Sequence, residues 1–323
     1  MGRRYLVTGG AGFIGSNFIR HLLAAEPGAA VTNLDALTYA GVPATVAELD
    51  TDARHRFVHG DVRDVDLVDD LVAAADVVVH FAAESHVDRS ITGPGAFLET
   101  NVVGTGVIIE AARRHHVPRF IHVSTDEVYG SIHEGFADER HPLDPSSPYA
   151  ASKGAADLLV RSYATTFGYP AIITRCTNNF GPYQFPEKII PLFVTNLLER
   201  KTVPLYGDGR NERDWLHVAD HCRAISLLVD EGTPGETYNI GADNQMTNLA
   251  LTRRILAACD ADESSIEMVP DRLGHDLRYA VDSAKIRRLG WRPRHGFDEH
   301  LQATIEWYRA RRDWWEPLRR GAP

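Results

Sequence analysis

Two adjacent carboxylates sit in Ser124-Thr125-Asp126-Glu127-Val128-Tyr129-Gly130, directly after the apolar run Arg119-Phe120-Ile121-His122-Val123, which reads as a buried strand. In an open parallel sheet, ligands bind beyond the carboxyl ends of the strands. A ketone acidifies the neighbouring C–H, so a carboxylate there can remove that proton. A hydroxyl beta to the ketone then leaves as water once an acid protonates it. Paired carboxylates titrate as a split pair, which supplies one base and one acid. Adjacent strand residues face opposite ways, so Asp126 and Glu127 can serve one site only if the strand has turned at Asp126. The plain alternative is an exposed acidic turn.

Tyr149 and Lys153 stand four apart in Tyr-Ala-Ala-Ser-Lys and share one face of a helix. An alcohol yields hydride only if its proton also leaves. The ordinary tyrosine pKa of about 10 is too high for a base at neutrality, and a lysine ammonium one turn away favours the phenolate. Tyr149 then takes the hydroxyl proton, and Lys153 also orients a cofactor ribose. Alone, the pair is a helix start with a solvated lysine. Beside a dinucleotide loop it is a redox pair.

That loop opens the chain. Tyr5-Leu6-Val7-Thr8 reads as a strand running into Gly9-Gly10-Ala11-Gly12-Phe13-Ile14-Gly15, and Phe18, Ile19, Leu22 and Leu23 follow at helical spacing. Glycines 9, 12 and 15 let backbone approach a pyrophosphate at a helix N-terminus. The strand at 31–35 ends in Asp35, 20 residues after Gly15, where an acid accepts from ribose hydroxyls. It repels a 2′-phosphate, and Ala36-Leu37-Thr38 brings no arginine, so NAD is favoured over NADP. Further strands read at 56–62, 77–83, 119–123 and 171–175, with helices at 65–75, 97–115 and 148–167. Asp61, in the third strand, falls where an acid could meet the adenine amino group. Small Ala82 and Ala83 in the fourth let a cofactor lie close. The alternation predicts an α/β fold: a doubly wound, Rossmann-type parallel sheet with a smaller mixed α/β lobe. Residues 1–185 are expected to form the NAD-binding domain and 186–323 a substrate-binding lobe, interleaved with the first. In that lobe helices read at 220–230, 248–259, 283–289 and 298–312. Trp314-Trp315 reads as packing for the last helix.

A net charge of −10 argues against nonspecific nucleic-acid binding, which needs basic surface. Local positive groups suit an anionic ligand nonetheless. Lys188, Arg213, Arg272 and His275 fall in the second lobe's loops and fit a nucleotide diphosphate. Cys176, Cys222 and Cys259 form no CxxC pair, so neither a zinc ribbon nor a disulfide framework is indicated. His217 and His221 have metal-like spacing but no third ligand and no HExxH pattern, so no metal is expected. No signal peptide and no run of roughly 18 apolar residues is evident, so the expectation is a cytoplasmic protein without a membrane span.

These residues resemble the extended short-chain dehydrogenase/reductase family and, within it, the dTDP-glucose 4,6-dehydratases. The glycine loop and the Tyr/Lys pair mark the superfamily. The narrow markers are Thr125-Asp126-Glu127 and the run from Asn178-Asn179 to Glu187-Lys188. Residues 35–41, 82–90 and 271–276 add to them. The resemblance implies conversion of dTDP-glucose to its 4-keto-6-deoxy product: oxidation at C4, loss of water across C5 and C6, and hydride return to C6. It implies Asp126 as the acid at C6, Glu127 as the base at C5, Tyr149 as the redox base at C4 with Lys153, and Thr125 on the C4 oxygen. Ser85, Asn178, Lys188, Ile189, Pro204, Tyr206, Arg213, Asn248, Arg272 and His275 would contact the nucleotide sugar. NAD would lie on Gly9, Gly12, Phe13, Ile14, Gly15, Asp35, Ala36, Leu37, Thr38, Asp61, Val62, Phe81, Ala82, Ala83, Thr100, Tyr149, Lys153 and Asn179. A homodimer paired through helices 97–115 and 149–167 is also implied. Departures from the family pattern are Leu273 for proline, Val42 for asparagine and Gly154 for alanine. A 4-epimerase or decarboxylase of the same scaffold would leave an acid at Asp126 idle, and a noncatalytic NAD-binding protein would leave the whole constellation unused.

Overall fold

The computed structural model describes residues 2–294 and 296–320. Strands β1 (Arg4–Thr8), β2 (Ala30–Asp35), β3 (His55–His59), β4 (Val77–His80), β5 (Arg119–Thr125) and β6 (Ala171–Cys176) build most of one sheet. The chain continues through β7 (Asn178–Phe180), β8 (Val203–Tyr206), β9 (Glu212–His217), β10 (Thr237–Ile240), β11 (Gln245–Thr247) and β12 (Ile266–Val269). The main sheet has seven strands in the order β10-β6-β5-β4-β1-β2-β3, and every pairing in it is parallel. Such strands are covered on both faces, which is why they read as continuous apolar runs rather than alternating ones. One face is packed by Phe18, Ile19 and Leu22 with Ile225 and Leu228. The other carries Val68, Val72, Ile108, Ile109 and Val160.

The order runs outward from β1 to β3, then restarts at β4 on the other side of β1. That reversal opens a crevice at the carboxyl ends of β1 and β4. The second lobe contains β11-β9-β7 and the pair β12-β8, packed around Phe193, Trp215, Leu251, Ile305, Trp314 and Trp315. The two parts interleave: β10, from far beyond the first six strands, lies parallel to β6 in the main sheet.

Several boundaries depart from the sequence reading. The third strand ends at His59, not Val62, because Gly60 and the turn closed by Asp64 N–H on Asp61 O lead into the helix Val65–Ala73. The fourth ends at His80, since past it Ala82 N–H turns to the Thr8 hydroxyl instead of a neighbouring strand. The helix expected over 97–115 is not uniform: Leu98–Gly104 is a π-helical stretch preceding Thr105–Arg114. Such widened turns concentrate at functional sites. The last helix breaks into Phe297–Ala310 and Arg312–Arg320. Trp314 and Trp315 are buried there, their indole N–H groups on Thr45 Oγ1 and Tyr308 O at 2.9 and 2.7 Å.

Candidate active site

Three glycines shape the first wall. Gly9 has φ +74°, and a Cβ there would lie 2.7 Å from the backbone N of Ala82. A Cβ on Gly15 would lie 2.3 Å from Gly9 O. Gly12 differs: its Cβ would meet only Gly9 O, at 3.3 Å, and the residue lines the cleft. Gly12 also caps the helix Phe13–Ala25 without any side-chain bond. The first-turn N–H groups of that helix therefore stand at the cleft, where an anion is favoured.

Asp35, at the end of β2, accepts from Ala11 N–H at 2.9 Å and Leu37 N–H at 2.8 Å. Burial pushes its carboxyl up, and the two N–H bonds oppose that. Each oxygen keeps acceptor capacity for a ribose diol. The open glycine, the helix end and the acid fit NAD. Of the residues expected to hold it, only Leu37 is absent from the cleft wall; its φ of +50° turns it so that its N–H serves Asp35. Asp61 lines the cleft, but its carboxylate is clasped by Arg63, with contacts down to 2.7 Å, and that pairing lowers its pKa. Asn179 is likewise committed to the fold: its side chain donates to Thr177 O at 2.9 Å and meets His221 Nδ1 at 3.0 Å. His221 is thereby separated in role from His217, whose ring stacks on His300 at 3.8 Å. Among the described residues no group of His, Cys, Asp and Glu is arranged to hold a metal ion.

The strand does turn where the carboxylates require it. Thr125 closes β5 with extended backbone, Asp126–Tyr129 forms a 3₁₀ turn, and the Thr125 hydroxyl caps it by accepting from Glu127 N–H at 3.3 Å. Asp126 and Glu127 both line the cleft. Asp126 is 3% exposed, and its Oδ2 has no hydrogen-bond partner among the described residues. Burial, then the Glu127 carboxylate, pushes Asp126 well above the usual carboxylate range. Burial raises Glu127 as well, but Lys188, Arg213 and Arg272 pull it back. Asp126 is thus the carboxyl pushed further toward its protonated form.

Tyr149 enters on the helix Pro148–Phe167, started by Pro148 and by a Ser147 cap that accepts from Ala150 N–H at 3.1 Å. Lys153 donates to Val123 O at 2.8 Å, which ties the helix to β5. Burial lowers Lys153 to about 8, against the pull of Asp157. Tyr149 departs from the sequence expectation. Burial and then Glu127 drive its phenol well above the ordinary value, while a hydrogen bond with Thr125 draws it down. An ammonium on the same helix face does not by itself make a phenolate; a low-dielectric wall and a neighbouring carboxylate work the other way.

The second lobe closes the cleft. Lys188 donates to Ser85 O at 3.0 Å, Arg272 pairs with Asp88 at 2.7 Å, and His275 meets Asp271 at 2.6 Å. Arg213 donates to Asp276 O at 2.9 Å and lies 4.0 Å from the Tyr279 ring centroid. Ser85, Asn178, Ile189, Pro204, Tyr206 and Asn248 share the same wall. Sequence reasoning missed Tyr279, whose hydroxyl stands 2.9 Å from Asp276 Oδ2 and 3.5 Å from Glu127 Oε2. It also missed Cys176, which β-pairing sets beside Thr125, and Glu187, whose carboxylate accepts from Tyr39 OH at 3.1 Å. A lone tyrosine after a loop carries no spacing signal; Glu187 had its cue in the marker run that ends Glu187-Lys188. Of the departures, Val42 is buried, Leu273 is 77% exposed, and Gly154 would admit a Cβ at ordinary contact distance.

The family model described as GDP-mannose 4,6 dehydratase matches residues 6–304. The chain is 54% identical over 321 residues to a dTDP-glucose 4,6-dehydratase of Streptomyces niveus, covering 98% of this chain and 96% of that protein. It is 56% identical over 321 residues to one of Streptomyces antibioticus, covering 98% and 95%. The crystal structure of DesIV, a dTDP-glucose 4,6-dehydratase from Streptomyces venezuelae with NAD and TYD bound, superposes with a TM-score of 0.96 at 56% identity, covering 98% of this chain and 99% of that one. With more than half its residues identical along nearly the whole length of each, and Asp126, Glu127 and Tyr149 gathered at one cleft, this chain belongs to the dTDP-glucose 4,6-dehydratase family of the extended short-chain dehydrogenases/reductases.

Proposed function

We propose that this chain converts dTDP-glucose to dTDP-4-keto-6-deoxyglucose and water. The observation that carries the reading is the pair of cleft-lining carboxylates on the turn beside Tyr149, with burial raising both and Lys188, Arg213 and Arg272 opposing the rise at Glu127. NAD, when bound on the glycine loop and Asp35, supplies the acceptor and return donor of hydride, and its oxidised ring adds the positive charge that Tyr149 needs to ionise. Thr125 holds the C4 oxygen, and Tyr149 takes the C4 hydroxyl proton. Glu127 removes the C5 proton, Asp126 gives its own to the C6 hydroxyl, and water leaves. Glu127 then returns its proton to C5. One turnover leaves Tyr149 with a proton gained and Asp126 with one lost. The Thr125 hydroxyl, hydrogen-bonded to Tyr149 and 3.4 Å from Asp126 Oδ1, gives that proton a route back.

A 4-epimerase needs no acid at C6, and among the described residues no hydrogen-bond partner engages Asp126 Oδ2. The test is incubation with dTDP-glucose, UDP-glucose and CDP-glucose in turn, with products read by mass. A product short of one water from dTDP-glucose is expected; a product that keeps every oxygen refutes the reading. We further propose a homodimer, supported by exposed Leu98, Val103, Leu158 and Phe167 on the two expected helices. Sedimentation of a single-chain mass would overturn it. Three unpaired cysteines suit a reducing, cytoplasmic setting, and among the described residues no helix is long and apolar enough to cross a membrane.

A further inference from the structure

One short segment of the first lobe, residues 85–88, reaches across the cleft to the second at successive points. Ser85 O accepts from Lys188 at 3.0 Å. His86 Nε2 lies 3.6 Å from Glu187 Oε2. Asp88 then takes Arg272 through two parallel bonds, Nε to Oδ1 at 2.7 Å and Nη2 to Oδ2 at 3.0 Å, joining residues 184 apart in sequence. The Arg272 side chain is 23% exposed and its guanidinium carbon stands 5.4 Å from the Tyr206 ring centroid. It is thus held on one edge by a carboxylate and flanked by an aromatic ring.

That edge matters. A guanidinium has five N–H donors in a rigid fork. The side-on pairing with Asp88 occupies Nε–H and one N–H of Nη2. Both N–H groups of Nη1 and the second of Nη2 are left, and these form the end-on fork that matches two phosphate oxygens. A carboxylate on the side edge therefore does not compete with an anion on the end edge. It removes the rotamer freedom that Arg272 would otherwise lose on binding.

We infer that Asp88 is a positioning residue, which holds the Arg272 guanidinium so that its free end meets the diphosphate of the nucleotide sugar. The inference rests on the functional reading above. Asp88 acts through Arg272, and it couples the grip on substrate to the junction of the two lobes.

The test measures thymidine diphosphate binding by calorimetry and dTDP-glucose kinetics with the NAD-loaded enzyme. Asp88→Ala should weaken the diphosphate about tenfold and raise KM by a similar factor, with kcat falling far less. In an Arg272→Met background the same change should cost nothing further, because the group it positions is gone. Asp88→Asn, which keeps the shape and one acceptor, should fall between. Tighter diphosphate binding by Asp88→Ala would show a competing carboxylate and overturn the inference. Unchanged binding, or losses that simply add in the double variant, would overturn it too. Wild-type enzyme that binds the diphosphate and turns over while Asp88→Ala matches it refutes this inference alone. Wild-type enzyme that neither binds nor turns over refutes the functional reading, and this falls with it.

Discussion

Replacing Asp126 by Asn tests the division of labour between the two carboxylates. The amide has nearly the shape of the acid and breaks no hydrogen bond of Oδ2, which has no such partner among the described residues, or any short one of Oδ1, whose Thr125 contact is long at 3.4 Å. It can still offer an N–H, but it has no proton to give. The full value of general acid help, about 10²- to 10⁴-fold, should be lost from the departure of the C6 hydroxyl. That is about 2.7 to 5.4 kcal/mol on the barrier. Oxidation at C4 and exchange of the C5 proton should survive in part, since Tyr149 and Glu127 are untouched. Glu127→Gln should do the reverse and nearly abolish C5 exchange in deuterated water. The decisive substrate is dTDP-glucose with fluorine at C6, because fluoride leaves without a proton. Single-turnover product formation followed by mass should show the Asp126→Asn defect shrinking to within about tenfold on the fluoro compound. Fluoride loss slowed as severely as water loss would remove Asp126 from the acid role and leave it a group that orients substrate.

The same variant should behave unusually in stability. Asp126 keeps its proton in the folded chain well above the pH at which an unfolded aspartate loses it. Its stability contribution is therefore present below about pH 4 and lost as pH rises through the folded value. Asp126→Asn should melt higher than wild type near pH 8, by on the order of 2–4 °C per kcal/mol relieved, and the gap should close toward pH 4; a gap that widens on acidification would contradict the assigned burial. Lys153→Met should slow C4 oxidation about 10- to 10³-fold near pH 7. Because Lys153 loses its own proton at about 8, the wild-type advantage should shrink above that pH; a ratio constant from pH 6 to pH 10 would sink the role given to the ammonium. Gly9→Ala should cost folding, with positive φ and a backbone clash, whereas Gly12→Ala, whose Cβ would meet Gly9 O at 3.3 Å on the cleft wall, should fold and lose NAD. Equal NAD content in the folded Gly12→Ala protein and wild type, measured after denaturation, would displace the cofactor from this loop.

Much was legible in the chain itself, and for local reasons. Apolar runs of five or six residues between glycines and polar turns encode buried parallel strands, because a strand covered on both faces has no polar side to show. Gly9, Gly12 and Gly15 before a helical repeat, and Tyr149 four residues before Lys153, are spacings that one turn of backbone converts directly into geometry. Thr125-Asp126-Glu127 was legible as a carboxylate pair at a strand end, while its division into acid and base came only from the family resemblance. What the chain could not state were relations across long separations. Only folding brought Tyr279 to Glu127, Arg272 to Asp88 and β10 to β6, since each depends on where two distant segments cross and no short-range pattern encodes that. Charge states belonged to the fold as well. Both carboxylates have the same ordinary pKa within about half a unit, and Tyr149 has a positive neighbour in sequence, yet burial and the neighbouring charges set how strongly each carboxyl is raised and which way the phenol moves. A pKa answers to the dielectric and charge of the whole surrounding volume, and that volume is assembled only in the tertiary structure.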